Sequence, residues 1–292
     1  MFERLRCVPL FRQMVLSTRR ALDGVRHALG SQRAILREFG LRLPVLMYHN
    51  IGTLVPGSHP DLTVSSRKFN RHMQWIRRHG YNPITAAQWV AWRHEGKILP
   101  KKPVLLTFDD AYRQMAKEAL PVLRKLGFTA TVFVVTSQIG GTNVWDQAKG
   151  FVKQDLMSAE EILFWAEQGI EFGAHTRTHP DLCSRDSSEV TAEMIASRDE
   201  LSKLVKRPVV AFAYPYGRYD ESVVGCARGV FSIAFTTDRG INDNRTDLLR
   251  LKRGTVCPAY SFADPFFHLV IGYNPFIAVR MKLGCWRRAI RA

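Results

Sequence analysis

Residues 104–110 read Val104-Leu105-Leu106-Thr107-Phe108-Asp109-Asp110. A short apolar run that stops at two adjacent carboxylates has the signature of a buried strand whose last side chains emerge at a sheet edge. Neighbouring acids resist joint ionisation, so the pair calls for a cation or a shared proton. Working outward, the same alternation recurs. Leu43–Ile51 reads as a first strand ending in His49, and Thr129–Val135, Ile170–Ala174, Val209–Ala213, Ser232–Thr236 and Leu248–Val256 read as later ones. Helical patterns fill the gaps. One is capped by Ser66 and carries Phe69, Met73 and Ile76 on one face, and a second opens at Thr85. A third covers Met115–Leu126, with Pro121 as a kink or late start. A fourth begins at the capping box Ser158-x-x-Glu161, and two more cover Ser188–Val205 and Glu221–Arg228. Strands alternating with helices predict an α/β fold with a parallel sheet, open or closed into a barrel.

The polar candidates cluster in this scheme. His49, the Asp109-Asp110 pair, His175, Tyr214 to Gly217, and Thr237 with Asp238 all fall at C-terminal strand ends, the face on which parallel barrels build their sites. His175-Thr-Arg-Thr-His179 places two imidazoles four residues apart. If the chain is helical there, both rings face one direction and can bind one metal. Adding one carboxylate makes a two-His, one-carboxylate set with coordination positions left for water, whose pKa zinc lowers to about 7. The second carboxylate is then free as a general base. Alone, an Asp-Asp pair or a His-x-x-x-His is ordinary turn or helix chemistry; the combination, each part behind its own strand, is what carries weight.

The 292 residues carry a formal charge of +16, and the apolar fraction of 46% is ample for a core. Positive charge collects at the ends. Residues 1–42 are rich in arginine against Glu3, Asp23 and Glu38 alone, and the tail carries Arg280, Lys282, Arg287, Arg288 and Arg291 among apolar residues. That mixture suits amphipathic segments on an anionic membrane surface, with a plain solubilising surface as the simpler alternative. Nucleic acid is disfavoured as a partner, because no nucleic-acid motif accompanies the charge. Five cysteines, Cys7, Cys183, Cys226, Cys257 and Cys285, are scattered without CxxC spacing, which argues against a disulfide framework and a cysteine zinc site. The first residues lack a signal-peptide pattern. The expectation is a cytoplasmic protein, peripheral on the inner face of the membrane.

Thr107-Phe108-Asp109-Asp110, then His175-Thr-Arg-Thr-His179, then Phe212-Ala-Tyr-Pro-Tyr-Gly217, resemble the polysaccharide deacetylase family, metal-dependent carbohydrate esterases related to the nodulation chitooligosaccharide deacetylase. The resemblance covers roughly Val45 to Val256. It implies a distorted (β/α) barrel of about seven parallel strands at 43–260, and the charge pattern adds basic extensions at 1–42 (helical) and 261–292. It also implies an N-deacetylase for an N-acetylated sugar in a polysaccharide, a lipopolysaccharide or a lipid-linked glycan precursor. By motif, Asp109 resembles the catalytic base, while Asp110, His175 and His179 resemble ligands of one divalent ion, zinc first, with cobalt, nickel, manganese or iron as alternatives. The Tyr216 backbone N–H resembles the oxyanion donor. Tyr112, Trp145, Tyr214 and Pro215 are candidates for the substrate groove, with core packing as the alternative for Tyr112 and Trp145.

Three departures stand out. Ala111 replaces a usual glycine, and Ala213 stands where an arginine commonly steadies the base, so that arginine is expected to be missing. No late Leu-x-His follows, and His268 lies in a poor context for one. The opening Val45-Leu-Met-Tyr-His49 resembles the exopolysaccharide deacetylase branch, which implies that His49 protonates the leaving amine. Competing readings are removal of another acyl group, such as formyl, from an amino sugar, and a non-catalytic glycan-binding protein with a relic site.

Overall fold

The computed structural model describes residues 41–258 and 269–270. The helical reading of residues 1–40, the basic C-terminal extension and His268 lie outside the described residues.

The sheet grows from the opening stretch. Strand β1 (Val45–Tyr48) lies beside β3 (Pro103–Phe108), in parallel register from Val45–Leu105 to Tyr48–Phe108. All six residues of β3 are buried, as a central parallel strand covered on both faces requires. Beyond it come β4 (Thr131–Val134), β5 (Glu171–Ala174), β6 (Ala211–Ala213) and β7 (Ile233–Phe235), while β8 (Gly254–Thr255) pairs with the outer side of β1. Every pair is parallel, and these seven strands form a curled half-barrel. An eighth strand, β2 (Asn82–Ile84), pairs with the first half of β3, where Pro83 is tolerated because no further strand lies outside it.

The last predicted strand is split. In place of one strand over 248–256, Leu251 forms a parallel bridge with Phe235 of β7, and only Gly254–Thr255 pair with β1. The segment thereby spans both edges of the half-barrel. Arg253 lies between the two pairings and is fully buried.

Helices pack outside. α1 (Ser66–Arg78) buries Phe69, Met73 and Ile76 as expected, but its cap is Ser65, whose hydroxyl accepts the Lys68 N–H. α2 (Ala86–Glu95) starts at Thr85 with a capping box to Gln88. The stretch after Asp110 is two helices, α3 (Arg113–Glu118) and α4 (Leu120–Leu126), with Pro121 in the first turn of the second, where its missing N–H costs nothing. α5 (Ala159–Glu167) is entered through the Ser158–Glu161 box. α6 (Ser187–Val205) has a further box from Asp186 to Glu189, and α7 (Glu221–Arg228) is capped by Asp220. Each cap stabilises its helix by about 1 kcal/mol. No helix among the described residues is long and apolar enough to cross a membrane.

Candidate functional site

Strand β3 delivers the two acids. The Asp109 N–H still donates to the Tyr48 carbonyl (3.0 Å), the last ladder bond with β1. The chain then enters the left-handed region, with φ of 70° at Asp110 and 53° at Ala111. This bend points successive carboxylates in different directions, and it explains why glycine suits position 111. Alanine there carries a backbone cost of about 1–2 kcal/mol. Both acids are buried, Asp109 at 3% and Asp110 at 4% exposure.

Asp110 meets the two histidines. Its Oδ1 lies 3.6 Å from His175 Nε2 and 3.6 Å from His179 Nε2. The His-x-x-x-His segment is not a helix, contrary to the expectation. Thr176 and His179 both have φ of 63°, and the Thr176 hydroxyl accepts the His179 N–H (2.9 Å), so a tight turn brings the rings together. His175 Nδ1 lies 2.7 Å from the Ala213 carbonyl, which can only accept. The proton is therefore on Nδ1, and the Nε2 lone pair faces Asp110. Trp145 stacks on His179 (centroids 4.5 Å apart), and Tyr216 meets the same ring edge-to-face (4.6 Å).

The cluster is electrostatically incomplete by itself. Asp110 Oδ1 and His179 Nδ1 are buried without hydrogen-bond partners. Burial, with the charges of Asp109 and Asp146, pushes the Asp110 carboxyl well above its usual value. Burial pushes His175 down and, with the neighbouring His175, holds His179 well below the usual imidazole value. Three buried acceptor groups, each with an atom within 4.8 Å of the others, are unfavourable without a shared cation and suited to one. The donor set therefore fits a divalent ion.

Asp109 has a different partner. The Arg253 guanidinium donates from Nη1 to Oδ1 (2.7 Å) and from Nη2 to Oδ2 (2.9 Å), while its Nε donates to the Thr236 carbonyl (2.7 Å). Its Cζ also lies 5.8 Å from the Phe133 ring centre and 6.0 Å from that of Phe235. Burial pushes the Asp109 carboxyl up, but Arg253, His175 and His49 outweigh it and hold the group below its usual value. The expectation of a missing arginine is thus corrected: the third motif carries Ala213, and Arg253 arrives instead from the closing segment. The sequence signal was weak, because the strand candidate Leu248–Val256 carries three cations, Arg250, Lys252 and Arg253, and nothing local singles out the last.

His49 follows β1 directly. Its Nε2 lies 3.9 Å from Asp109 Oδ2, with 17% of the side chain exposed. Burial lowers its pKa to about 4. These groups line a cavity of about 240 Å³ at the strand C-termini, together with Trp145, Asp146, Lys149 and Tyr216. Tyr216 lines it with φ of 59°.

The groove candidates divide. Trp145 forms part of the wall. Tyr214 borders the cavity but is fully buried, its ring against Phe212 and Tyr219 and its hydroxyl donating to the Leu249 carbonyl (3.0 Å). Pro215 is buried in the turn outside the lining. Tyr112 is corrected to a core position at 1% exposure, its hydroxyl donating to Asp146 (3.0 Å) and its ring facing a second cavity. Asp146 was not anticipated as a cavity residue.

A parallel half-barrel with an Asp-His-His cluster beside an arginine-held carboxylate defines a hydrolase-type site at the strand C-termini. Residues 96–230 match the polysaccharide deacetylase family model. The chain is 28% identical over 221 residues to YxkH of Bacillus subtilis (strain 168), named provisionally as a polysaccharide deacetylase, covering 75% of this chain and 73% of that one. It is 27% identical over 203 residues to the poly-beta-1,6-N-acetyl-D-glucosamine N-deacetylase of Staphylococcus epidermidis, covering 66% of this chain and 68% of that one. Among solved structures, the deacetylase PplD of Streptococcus pyogenes, in complex with acetate, superposes with a TM-score of 0.68 at 28% identity, covering 80% of this chain and 98% of that one. The chain carries a polysaccharide deacetylase domain, with relatives of the exopolysaccharide N-deacetylase type. His49 and Arg253, which flank Asp109, both lie outside the matched segment.

Proposed function

We propose that this protein is a metal-dependent N-deacetylase that hydrolyses the acetamide of an N-acetylated sugar in a polysaccharide, a lipopolysaccharide or a lipid-linked glycan precursor. One observation carries the reading: the convergence of Asp110, His175 and His179 directly beside an Asp109 that Arg253 keeps ionised. A divalent ion held by those three side chains supplies Lewis-acid activation of water and of the amide carbonyl. Zinc is the first expectation for the donor set.

The chain's own residues do the rest. Asp109 is anionic at neutral pH and accepts the proton of the attacking water. Arg253 fixes its plane, so no reorientation is needed during transfer. The Tyr216 N–H donates to the oxyanion that develops on the carbonyl. His49, held down at about 4 by burial, starts neutral at pH 7. The proton that it delivers to the leaving nitrogen is therefore one it has first taken up within the site, with the Asp109 Oδ2 edge 3.9 Å away. Trp145, stacked on His179, offers an apolar wall for the acetyl group or sugar face. The named substrate of the Staphylococcus epidermidis relative supports N-acetylglucosamine as the sugar. The basic ends support a cytoplasmic protein at the inner, anionic membrane face, which co-sedimentation with anionic and neutral vesicles tests.

The deciding experiment measures acetate and formate release from N-acetylated oligosaccharides and lipid-linked N-acetyl sugars. Wild type, metal-stripped protein and Asp109→Asn are compared. Acetate release that needs metal and disappears in the variant is expected; formate release alone, or activity that survives both treatments, overturns the reading.

A further inference from the structure

The two histidines of the cluster are not held alike. His175 follows β5 directly: its N–H donates to the Val134 carbonyl (2.9 Å), and its Nδ1 is fixed by the Ala213 carbonyl (2.7 Å). A metal-ligating histidine ordinarily has its second ring nitrogen oriented in this way. The His179 ring lacks that anchor, because its Nδ1 is buried without a partner. Its place therefore depends on the rings of Trp145 and Tyr216 and on the backbone turn that carries it.

That turn is unfavourable on its own. Thr176 and His179 both stand at φ of 63°, a region that residues other than glycine keep only where their surroundings enforce it. The enforcement comes largely from α6. Glu193 Oε2 accepts the Arg177 N–H (2.8 Å) and the Thr178 N–H (2.8 Å), and its Oε1 accepts the Thr178 hydroxyl (2.7 Å). Further along the same helix, Glu200 accepts from Arg177 Nε (2.9 Å) and from the Thr136 hydroxyl. Glu200 thus holds side chains, whereas Glu193 holds the backbone between the two left-handed residues. Glu193 is half-buried and stands outside the cavity lining.

We infer that Glu193 is a positioning residue of the metal centre: by holding Arg177 and Thr178, it fixes where His179 stands and so sets the affinity for the divalent ion. The inference rests on the metal-binding reading of Asp110, His175 and His179. Shape does this rather than charge. Glu193→Gln keeps an amide oxygen that can accept the same two N–H groups, while Glu193→Asp keeps the charge but withdraws it by one methylene.

Zinc affinity tests this without any substrate. The full chain is stripped with a chelator and titrated against a chromophoric competitor. Glu193→Ala and Glu193→Asp should bind zinc about tenfold to a hundredfold more weakly than wild type, and Glu193→Gln should stay within about threefold of it. Asp186→Ala is the control. Asp186 caps the same helix by accepting the Ser188 and Glu189 N–H groups, so its loss should lower the urea midpoint and leave zinc affinity unchanged. If Glu193→Ala does not fold, the comparison of Glu193→Asp with Glu193→Gln decides.

Wild-type affinity in Glu193→Ala or Glu193→Asp overturns the inference, and so does equal weakening in Asp186→Ala. Weakening in Glu193→Gln that Glu193→Asp escapes would assign the effect to charge and overturn it too. A wild-type protein that binds neither zinc nor cobalt would overturn the metal-dependent reading along with it, which unchanged affinity in the Glu193 variants would not.

Discussion

Arg253 and Asp109, 144 residues apart in sequence, form a two-pronged ion pair with no solvent access on the arginine side. The pair joins the closing segment of the half-barrel to the end of its central strand. It gives adjacent acids opposite characters: Asp109 is held ionised by a permanent cation, while burial and the charges of Asp109 and Asp146 drive Asp110 toward protonation, more than Lys149 and the Tyr112 hydroxyl offset. Neighbours in sequence are thereby given opposite electrostatic characters by what stands opposite each, which is the division the proposed roles of base and ligand need.

Removing the guanidinium should be costly in two measurable ways. Arg253→Met leaves a buried carboxylate unpaired, and about 3–5 kcal/mol of unfolding free energy should disappear. Asp109 is depressed in the native state, so losing its partner raises its pKa, and the acid limb of the pH–rate profile should move to higher pH. Arg253→Lys should recover part of both effects. An unmoved acid limb in a folded Arg253→Met protein contradicts the role given to the pair.

The two acids should separate by metal content. Asp110→Asn and His175→Ala are expected to lose the bound ion, whereas Asp109→Asn should keep about one equivalent and lose activity alone. Elemental analysis after dialysis, run beside acetate release, checks this. Equal metal loss in Asp109→Asn and Asp110→Asn would show that both carboxylates are ligands.

Features whose cause is local were legible in the sequence. Ser158 and Glu161 form their capping box because each partner lies three residues from the other, and the end of β3 could be read from polarity alone. The turn at Thr176 and His179 was not legible, since His-x-x-x-His spacing serves a helix as well as this left-handed loop. Arg253 was hidden for a different reason. Its partner is set by barrel closure: the third motif lies at the end of β6, whereas the guanidinium comes from beyond β7. Tyr112 and Trp145 were equivalent as aromatics, and only the packing sent one to the core and the other to the wall.

His49→Ala should lower kcat by about 10²- to 10⁴-fold while leaving metal content unchanged, as expected for a proton donor that is not a ligand. His49→Gln, which keeps a polar side chain but cannot carry the proton, should be equally slow. Steady-state kinetics with metal analysis separates this from a loss of metal, and a variant within about twofold of wild type would remove His49 from the mechanism.

Gly217 closes the third motif with φ of 68°, next to Tyr216 at 59°. A methyl group placed there would lie 2.0 Å from the Thr237 Oγ1 and 2.6 Å from its Cβ. Gly217→Ala should therefore push Thr237 and the Tyr216 turn apart, costing about 1–3 kcal/mol in stability and lowering activity through the displaced Tyr216 N–H. Thermal unfolding and kcat measured together check it, since a stable variant of full activity would mean that the turn is not rigid.

Far from the cavity, Glu171 offers a pH test of the fold itself. Its carboxylate accepts the Ala86 N–H (2.7 Å), the Ala87 N–H (2.8 Å) and the Thr131 hydroxyl, tying β5 to the first turn of α2. Burial nonetheless pushes its carboxyl above the usual value, the hydrogen bonds from Thr131, Ala87 and Ala86 opposing the shift without cancelling it. An acid whose native pKa lies above the unfolded value of about 4.3 binds more protons when folded. The stability it contributes is therefore fully present below that value and is lost as pH rises through the native pKa. Glu171→Gln keeps the shape but does not titrate. Urea midpoints from about pH 4 to about pH 7 should show the wild-type protein losing ground to the variant as pH increases. A difference that stays constant would mean that Glu171 titrates in the fold as it does in the unfolded chain.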